Sequence, residues 1–169
     1  RSAVPATLDV RRMAEKPRKK QSTQFDLANR LFFRLYQCSN LLHKSGTRYV
    51  AAFGATTQQW AVLGALARPQ VLAAGMTVKD LITFLMVSRQ NLTAVLDRLE
   101  SRGWIERVED NDDRRSRRIR LTTLGQRTWT RMQSVIAAYY DDALADFAQA
   151  DRVRLARLLD RLKDALNAV

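Results

Sequence analysis

A mainly helical fold with one small β-hairpin is what this sequence predicts, and three observations predict it. Apolar residues recur at three- and four-residue steps from Gln24 almost to the C-terminus. The period drops to two only after Gly103, and that stretch contains a charged turn, Asn111-Asp112-Asp113, between two short runs. Of the 169 residues 46% are hydrophobic and 27% charged, which is enough apolar material for one packed core and too much for a disordered polyelectrolyte.

The elements follow in order. Residues 1–23 have no periodicity, two prolines and the Arg18-Lys19-Lys20 run, the pattern of a mobile basic arm that either stays solvated or contacts phosphate. Ala28, Leu31, Phe32, Leu35, Cys38 and Leu42 then form one helical stripe, predicting a long first helix over roughly 24–52. Phe25, Leu27, Phe33, Tyr36 and Leu41 widen its apolar surface beyond what a helix on the rim of a monomer needs, and burial against a second chain would explain them. Side chains able to satisfy orphan N–H groups mark later helix starts: Thr56 with Gln59, Thr77 with Asp80, Ser88, and Thr123 with Gln126. They predict helices over about 57–68, 78–86 and 88–102 and a long one after 123. Gly103 sits where a left-handed residue ends the third of these. Trp104 to Val108 and Arg118 to Leu121 read as the two strands. Trp129, Met132, Val135, Ile136, Tyr139, Tyr140 and Phe147 mark the long helix, and Leu155, Leu158, Leu159, Leu162, Leu166 and Val169 a last one.

Composition excludes several kinds of chemistry. One cysteine, Cys38, and one histidine, His43, leave no disulfide framework, no Cys/His zinc cluster and one possible His-based triad, so neither a metal nor another cofactor is expected. No GxSxG, P-loop or GxGxxG is present. An enzyme acting on an acyl-CoA would have only His43 as an obvious general base and no nucleophile partnered to it, so the expectation is a protein that is not an enzyme. No apolar run nears the ~20 residues needed to cross a bilayer, and the basic first twenty residues lack a signal-peptide core; a cytoplasmic protein without a membrane partner is expected.

The net charge of +12 points to an anionic partner. It is unevenly placed: residues 141–169 carry six acidic against five basic side chains, whereas Arg114, Arg115, Arg117, Arg118 and Arg120 fall within seven positions. Helix, helix, tight turn, helix, then an arginine-loaded hairpin is the order of a winged helix-turn-helix. A helix fits the major groove, whose base edges are distinguishable, and a ribbon beside it reaches the minor groove. Ser88, Arg89, Gln90 and Asn91 open the third helix where its N-terminus also favours phosphate. Arg pairs with guanine and Gln or Asn with adenine, while Leu92, Val95, Leu96 and Leu99 supply the buried stripe. Thr93 and Arg98 stand among the residues left for the groove or the flanking backbone. Taken singly, polar first-turn residues usually only cap a helix and an arginine run usually only faces water; their order is what favours DNA. The charge alone would also suit a sequence-independent architectural DNA-binding protein.

Val87-Ser-Arg-Gln-Asn-Leu-Thr-Ala-Val-Leu-Asp-Arg-Leu-Glu-Ser-Arg-Gly103-Trp-Ile-Glu-Arg107, with Asp113-Arg-Arg-Ser116 and Ile119-Arg-Leu-Thr-Thr-Leu-Gly125, resembles the MarR family of transcriptional regulators. The resemblance runs from about residue 24 to 167, and its most specific motifs are the wing Asp-x-Arg and the Leu-Thr-x-x-Gly at 121–125. It implies that Arg115 enters the minor groove and Asp113 orients it, with Arg117 beside them. Where a proline commonly precedes this motif, the chain has Asn111. The resemblance further implies a homodimer in which the first and last helices interlock. Residues 24–55 and 125–169 would be its dimerisation helices and 56–124 the DNA-binding lobe on a pseudo-palindromic operator.

MarR-like regulators typically bind a small aromatic, often anionic effector between these parts, and Tyr36, Asn40, His43, Arg48 and Trp60 mix ring faces with hydrogen-bonding groups on the segments concerned. For His43 and Trp60 the plainer alternatives are a structural histidine and simple core. The segments 31–48 and 57–64 resemble the branch that controls catabolism of aromatic acids, including regulators that sense hydroxycinnamoyl-CoA or related thioesters. Arg34, Lys44 and Arg48 would then meet CoA phosphates, and a repressor of an aromatic-acid operon is expected. A rival sensor is Cys38, since some relatives use a first-helix cysteine as a peroxide switch; its place on the apolar stripe predicts instead an inert, buried thiol.

Overall fold

The structure, a computed structural model, describes residues 18–110 and 117–169, with side chains from residue 23 onward. The proposed arm thus lies largely outside the described residues, as do Asp113 and Arg115 at the hairpin tip. Among the described residues six α-helices and three short strands follow one another: α1 (Arg18–Tyr49), α2 (Thr57–Leu66), β1 (Met76–Thr77), α3 (Val78–Leu85), α4 (Arg89–Ser101), β2 (Ile105–Glu109), β3 (Arg117–Leu121), α5 (Thr123–Ala143) and α6 (Gln149–Asn167). Two compact units divide the chain, one ending at Leu41 and one from Leu42 to Val169.

In the first unit α1 exposes Phe25, Leu31, Phe33 and Tyr36, the last by 66%. Cys38 is exposed with them. The buried thiol expected from the stripe is therefore corrected: position on an apolar stripe buries a side chain only where something covers the stripe. The helix also begins earlier than residue 24 and ends at Tyr49, with Ala51–Phe53 forming a separate 3-10 turn.

In the second unit the starts of α2, α3 and α4 are capped as their sequences require. Thr56 and Gln59 form a reciprocal capping box, Thr77 and Asp80 another, and the Ser88 hydroxyl accepts from the Asn91 N–H at 3.3 Å. The cap of α5 is Thr122 rather than Thr123: its hydroxyl accepts from Gly125 N at 3.0 Å and donates to the Gly103 carbonyl at 2.6 Å. Two adjacent threonines compete for that place, and the one that also reaches Gly103 takes it. α5 stops at Ala143, leaving Phe147 outside the helix, where Arg152 donates to the Leu144 and Phe147 carbonyls at 2.8 and 3.1 Å.

The core gathers Val50, Leu63, Leu66, Leu81, Leu92, Leu96, Leu99, Ile105, Ile119 and Met132, all buried. Burying one such side chain is worth ~1.5–3 kcal/mol, so α4 is held by its whole leucine stripe and presents its polar side outward. The hairpin belongs to a three-stranded antiparallel sheet ordered β1-β3-β2, with Ile105 opposite Leu121 and Glu109 opposite Arg117. β1 pairs Met76 with Ile119 and Thr77 with Arg118, a strand too short to show a period in the sequence. Gly75, at φ +69°, permits the approach: a Cβ there would lie 2.4 Å from the Ile119 carbonyl oxygen. Likewise Gly125 passes so near the Trp104 carbonyl that a Cβ would lie 1.9 Å from its oxygen. α6 leaves Leu155, Leu158, Leu159 and Leu166 exposed.

Candidate nucleic-acid interface

At the start of α4 the cap at Ser88 leaves Arg89, Gln90 and Asn91 exposed, beside the first-turn N–H groups that have no partner within a helix. Leu92, Val95, Leu96 and Leu99 are buried on the opposite side. Thr93 is exposed, with its hydroxyl donating back to the Arg89 carbonyl at 2.9 Å; it offers a methyl group more readily than a donor. Arg98 is exposed in the last turn. Its neighbours Asp97 and Glu100 both hold Arg107 of β2, at 2.7 and 3.1 Å, tying the helix to the hairpin.

The arginine run divides by partner. Arg117 is exposed across from Glu109, 3.3 Å away, and Arg120 pairs with Glu106 at 2.7 Å. Arg118 turns inward to Asp110 and to the Ala74 and Gly75 carbonyls. Reading these arginines as one charged surface is therefore too simple: within β3, two carry a cross-strand carboxylate and one is structural. Arg102 is a further structural arginine, donating to the Phe53 and Gly54 carbonyls at 3.1 and 3.0 Å and stacking over the Trp104 ring at 4.4 Å.

The residues expected to hold an effector are distributed as follows. Tyr36, Asn40 and Arg34 lie in the unit ending at Leu41 and are exposed; Arg34 donates to Gln37 at 3.0 Å. In the second unit His43 Nδ1 is 2.7 Å from the Thr57 hydroxyl, while Lys44 and Arg48 are exposed one turn apart. Trp60 is buried to 9% exposure, with its ring centroid 5.9 Å from that of Tyr139 and 5.7 Å from that of Tyr140. Tyr139 meets Tyr49 edge-on at 5.0 Å, and its hydroxyl lies 3.0 Å from that of Ser45. This aromatic cluster, half of it read from sequence as plain helical stripe, combines ring faces with hydroxyls. The hydrogen bond from Tyr49 to the Asp142 carboxylate raises the Tyr49 phenol above its ordinary range, and burial raises that of Tyr140.

No helix among the described residues is long and apolar enough to cross a membrane.

The sequence profile of the MarR family matches residues 53–116. The chain is 53% identical over 145 residues to the transcriptional activatory protein BadR of Rhodopseudomonas palustris, covering 83% of this chain and 82% of that one. It is 31% identical over 105 residues to the homoprotocatechuate degradative operon repressor of Escherichia coli, covering 62% and 68%. Among solved structures, that of reduced AbfR bound to DNA matches with a TM-score of 0.73 at 27% identity, over 88% of this chain and 97% of that one.

Proposed function

Because this chain belongs to the MarR family of winged-helix transcriptional regulators, we propose that it binds a pseudo-palindromic operator as a homodimer and controls genes for the breakdown of an aromatic acid. Residues 56–124 are the DNA-binding lobe, and 24–55 with 125–169 the dimerisation helices. The observation that carries the reading is the start of α4, where Arg89, Gln90 and Asn91 stand exposed over a fully buried leucine stripe. That arrangement holds base-reading groups at one height without tying them up, and two such helices about one DNA turn apart read half-sites ~10 bp from centre to centre. Thr93, Arg98 and Arg117 serve the flanking backbone, and Asp113 and Arg115 the minor groove. The leucines of α6 and the apolar face of α1, uncovered in the single chain, support a partner copy.

Repression, by occlusion of a promoter that the operator overlaps, is the mode proposed. One relative is named an activatory protein and another an operon repressor, so the operator's position relative to the promoter is the variable to map. The effector is a small aromatic acid or its CoA thioester, a reading supported by the homoprotocatechuate operon that the second relative represses. His43, Arg48 and Trp60 contact it, with Lys44 and Arg48 available to phosphates; Tyr36, Asn40 and Arg34 enter as sequence expectations. Effector binding releases DNA to the extent that it favours the state with lower DNA affinity.

Selection from a random oligonucleotide pool tests the operator reading. The wild type should enrich an inverted repeat, and Arg89→Ala and Asn91→Ala should each relax particular base positions by about 1–3 kcal/mol. Equal loss on every sequence would reduce these side chains to phosphate contacts. For the effector, thermal shifts with free aromatic acids and their thioesters should grow with ligand concentration, reaching ~2.7 kcal/mol at a hundred times Kd. No shift with any of them would remove the aromatic assignment.

A further inference from the structure

We propose that Arg118 is a positioning residue for DNA binding, a clasp that sets the tilt of the β2–β3 hairpin against the turn preceding β1. The proposal rests on the operator-binding reading above. Three bonds make the clasp: Arg118 Nε donates to the Ala74 carbonyl at 2.8 Å, Nη2 to the Gly75 carbonyl at 2.9 Å, and Nη1 to the Asp110 carboxylate at 3.1 Å. Asp110 is 7% exposed, so the guanidinium compensates a carboxylate that has largely left water. On the β2 side Arg107 ties the hairpin to Asp97 and Glu100 of α4, whereas the two remaining arginines of β3 differ in kind. Arg117 and Arg120 each meet one exposed carboxylate on the neighbouring strand, a pairing inside the hairpin that cannot orient it and is worth ~0–1 kcal/mol.

The hairpin needs such a device. Its ladder joins β2 to β3 over five residues and Arg107 ties β2 to α4, but on the other edge only the two-residue β1 joins β3 to the start of α3. Beside the clasp lies an open cleft of about 390 Å³, lined by Ala73, Ala74 and Val108 together with charged side chains of the hairpin. Ile105, Ile119 and Leu121 pack the inner face of the hairpin, and hydrogen bonds from one guanidinium fix its outer edge. Arg118 lies opposite Val108, one pair from the tip end of the ladder, so the clasp acts on the part of the hairpin that leads directly into the tip.

A double-mutant cycle on the operator selected by the wild type tests the clasp. Arg118→Gln should weaken binding about tenfold while leaving the base preferences contributed by α4 intact. In an Arg115→Ala background it should cost under about twofold, because a positioning residue has nothing left to position. Arg118→Lys, which keeps a charge beside Asp110, should bind at least about threefold better than Arg118→Gln. Additive losses, equal binding by the Lys and Gln variants, or base preferences flattened along with affinity would each overturn the proposal. Circular dichroism and melting accompany every variant, and if Arg118→Gln does not fold, Asp110→Asn carries the same cycle with the side-chain shape kept. A wild type that selects no motif defeats the operator reading; a wild type that selects one but shows additive losses defeats only the clasp.

Discussion

Replacing Gly125 by alanine tests the contact that joins α5 to the hairpin. Gly125 is buried in the first turn of α5, and a Cβ there would sit 1.9 Å from the Trp104 carbonyl oxygen and 2.8 Å from its carbon. Neither atom is a flexible side-chain end. The strand must retreat by more than an ångström or the helix must tilt, and overpacking of this kind costs up to about 3 kcal/mol. Retreat also stretches the bond by which Thr122 N donates to the same Trp104 carbonyl, 3.1 Å long and worth ~1 kcal/mol. Alanine's better helix propensity returns at most about 1 kcal/mol. A net loss near 3 kcal/mol lowers the melting temperature of a domain this size by roughly 6–12 °C. Thermal denaturation followed at 222 nm measures it, with a urea titration at 25 °C as a second estimate. A melting temperature within about 2 °C of the wild type would refute the close-approach argument, and with it the physical account of the glycine in Leu-Thr-x-x-Gly.

Other outcomes follow from single residues. Arg115→Ala should weaken binding to all sequences more than Arg120→Ala, since Arg120 is already paired with Glu106 at 2.7 Å; equal effects in a salt-controlled binding titration would overturn the wing assignment. Met86 ends α3 at φ +53°, a left-handed conformation costing ~1–2 kcal/mol for most residues, and its side chain is exposed, so Met86→Asn should raise the melting temperature by a few degrees, about 2–4 °C per kcal/mol recovered. A lower melting temperature would show that the Met86 side chain matters more than its backbone. The raised phenol pKa of Tyr49 means that its bond to Asp142 stabilises fully below the ordinary tyrosine pKa and is lost as pH rises through the raised value. Asp142→Asn should shift one of the four phenolate transitions, read by ultraviolet absorbance, to lower pH; an unchanged titration curve would contradict that cause.

Much of the fold was legible because its signals are local. Caps at Thr56, Thr77 and Ser88 are decided by side chains three residues apart, and the α4 stripe by spacing alone. What sequence missed depends on tertiary neighbours. β1 has two residues and exists because β3 lies alongside it. Thr122 outcompetes Thr123 through Gly103, nineteen residues away. Cys38 occupies the stripe assigned to it, yet is exposed. The candidate interface shows the same division: the exposed cluster at Arg89–Asn91 follows from amphipathicity, but no pattern within five closely spaced arginines says that Arg118 faces Asp110 while Arg117 faces Glu109. Tyr139 and Tyr140 read as stripe residues, and only the folded chain brings their rings to Trp60.

The two backbone pairs between β1 and β3 reach beyond the sheet itself. β1 runs without a break into α3, and Arg107 lashes β2 to α4, so each edge of the sheet is moored to a helix. The hairpin is thus held at two edges of unlike kind, two carboxylates of α4 at one and two backbone pairs with one guanidinium at the other, and loosening one leaves the other in place.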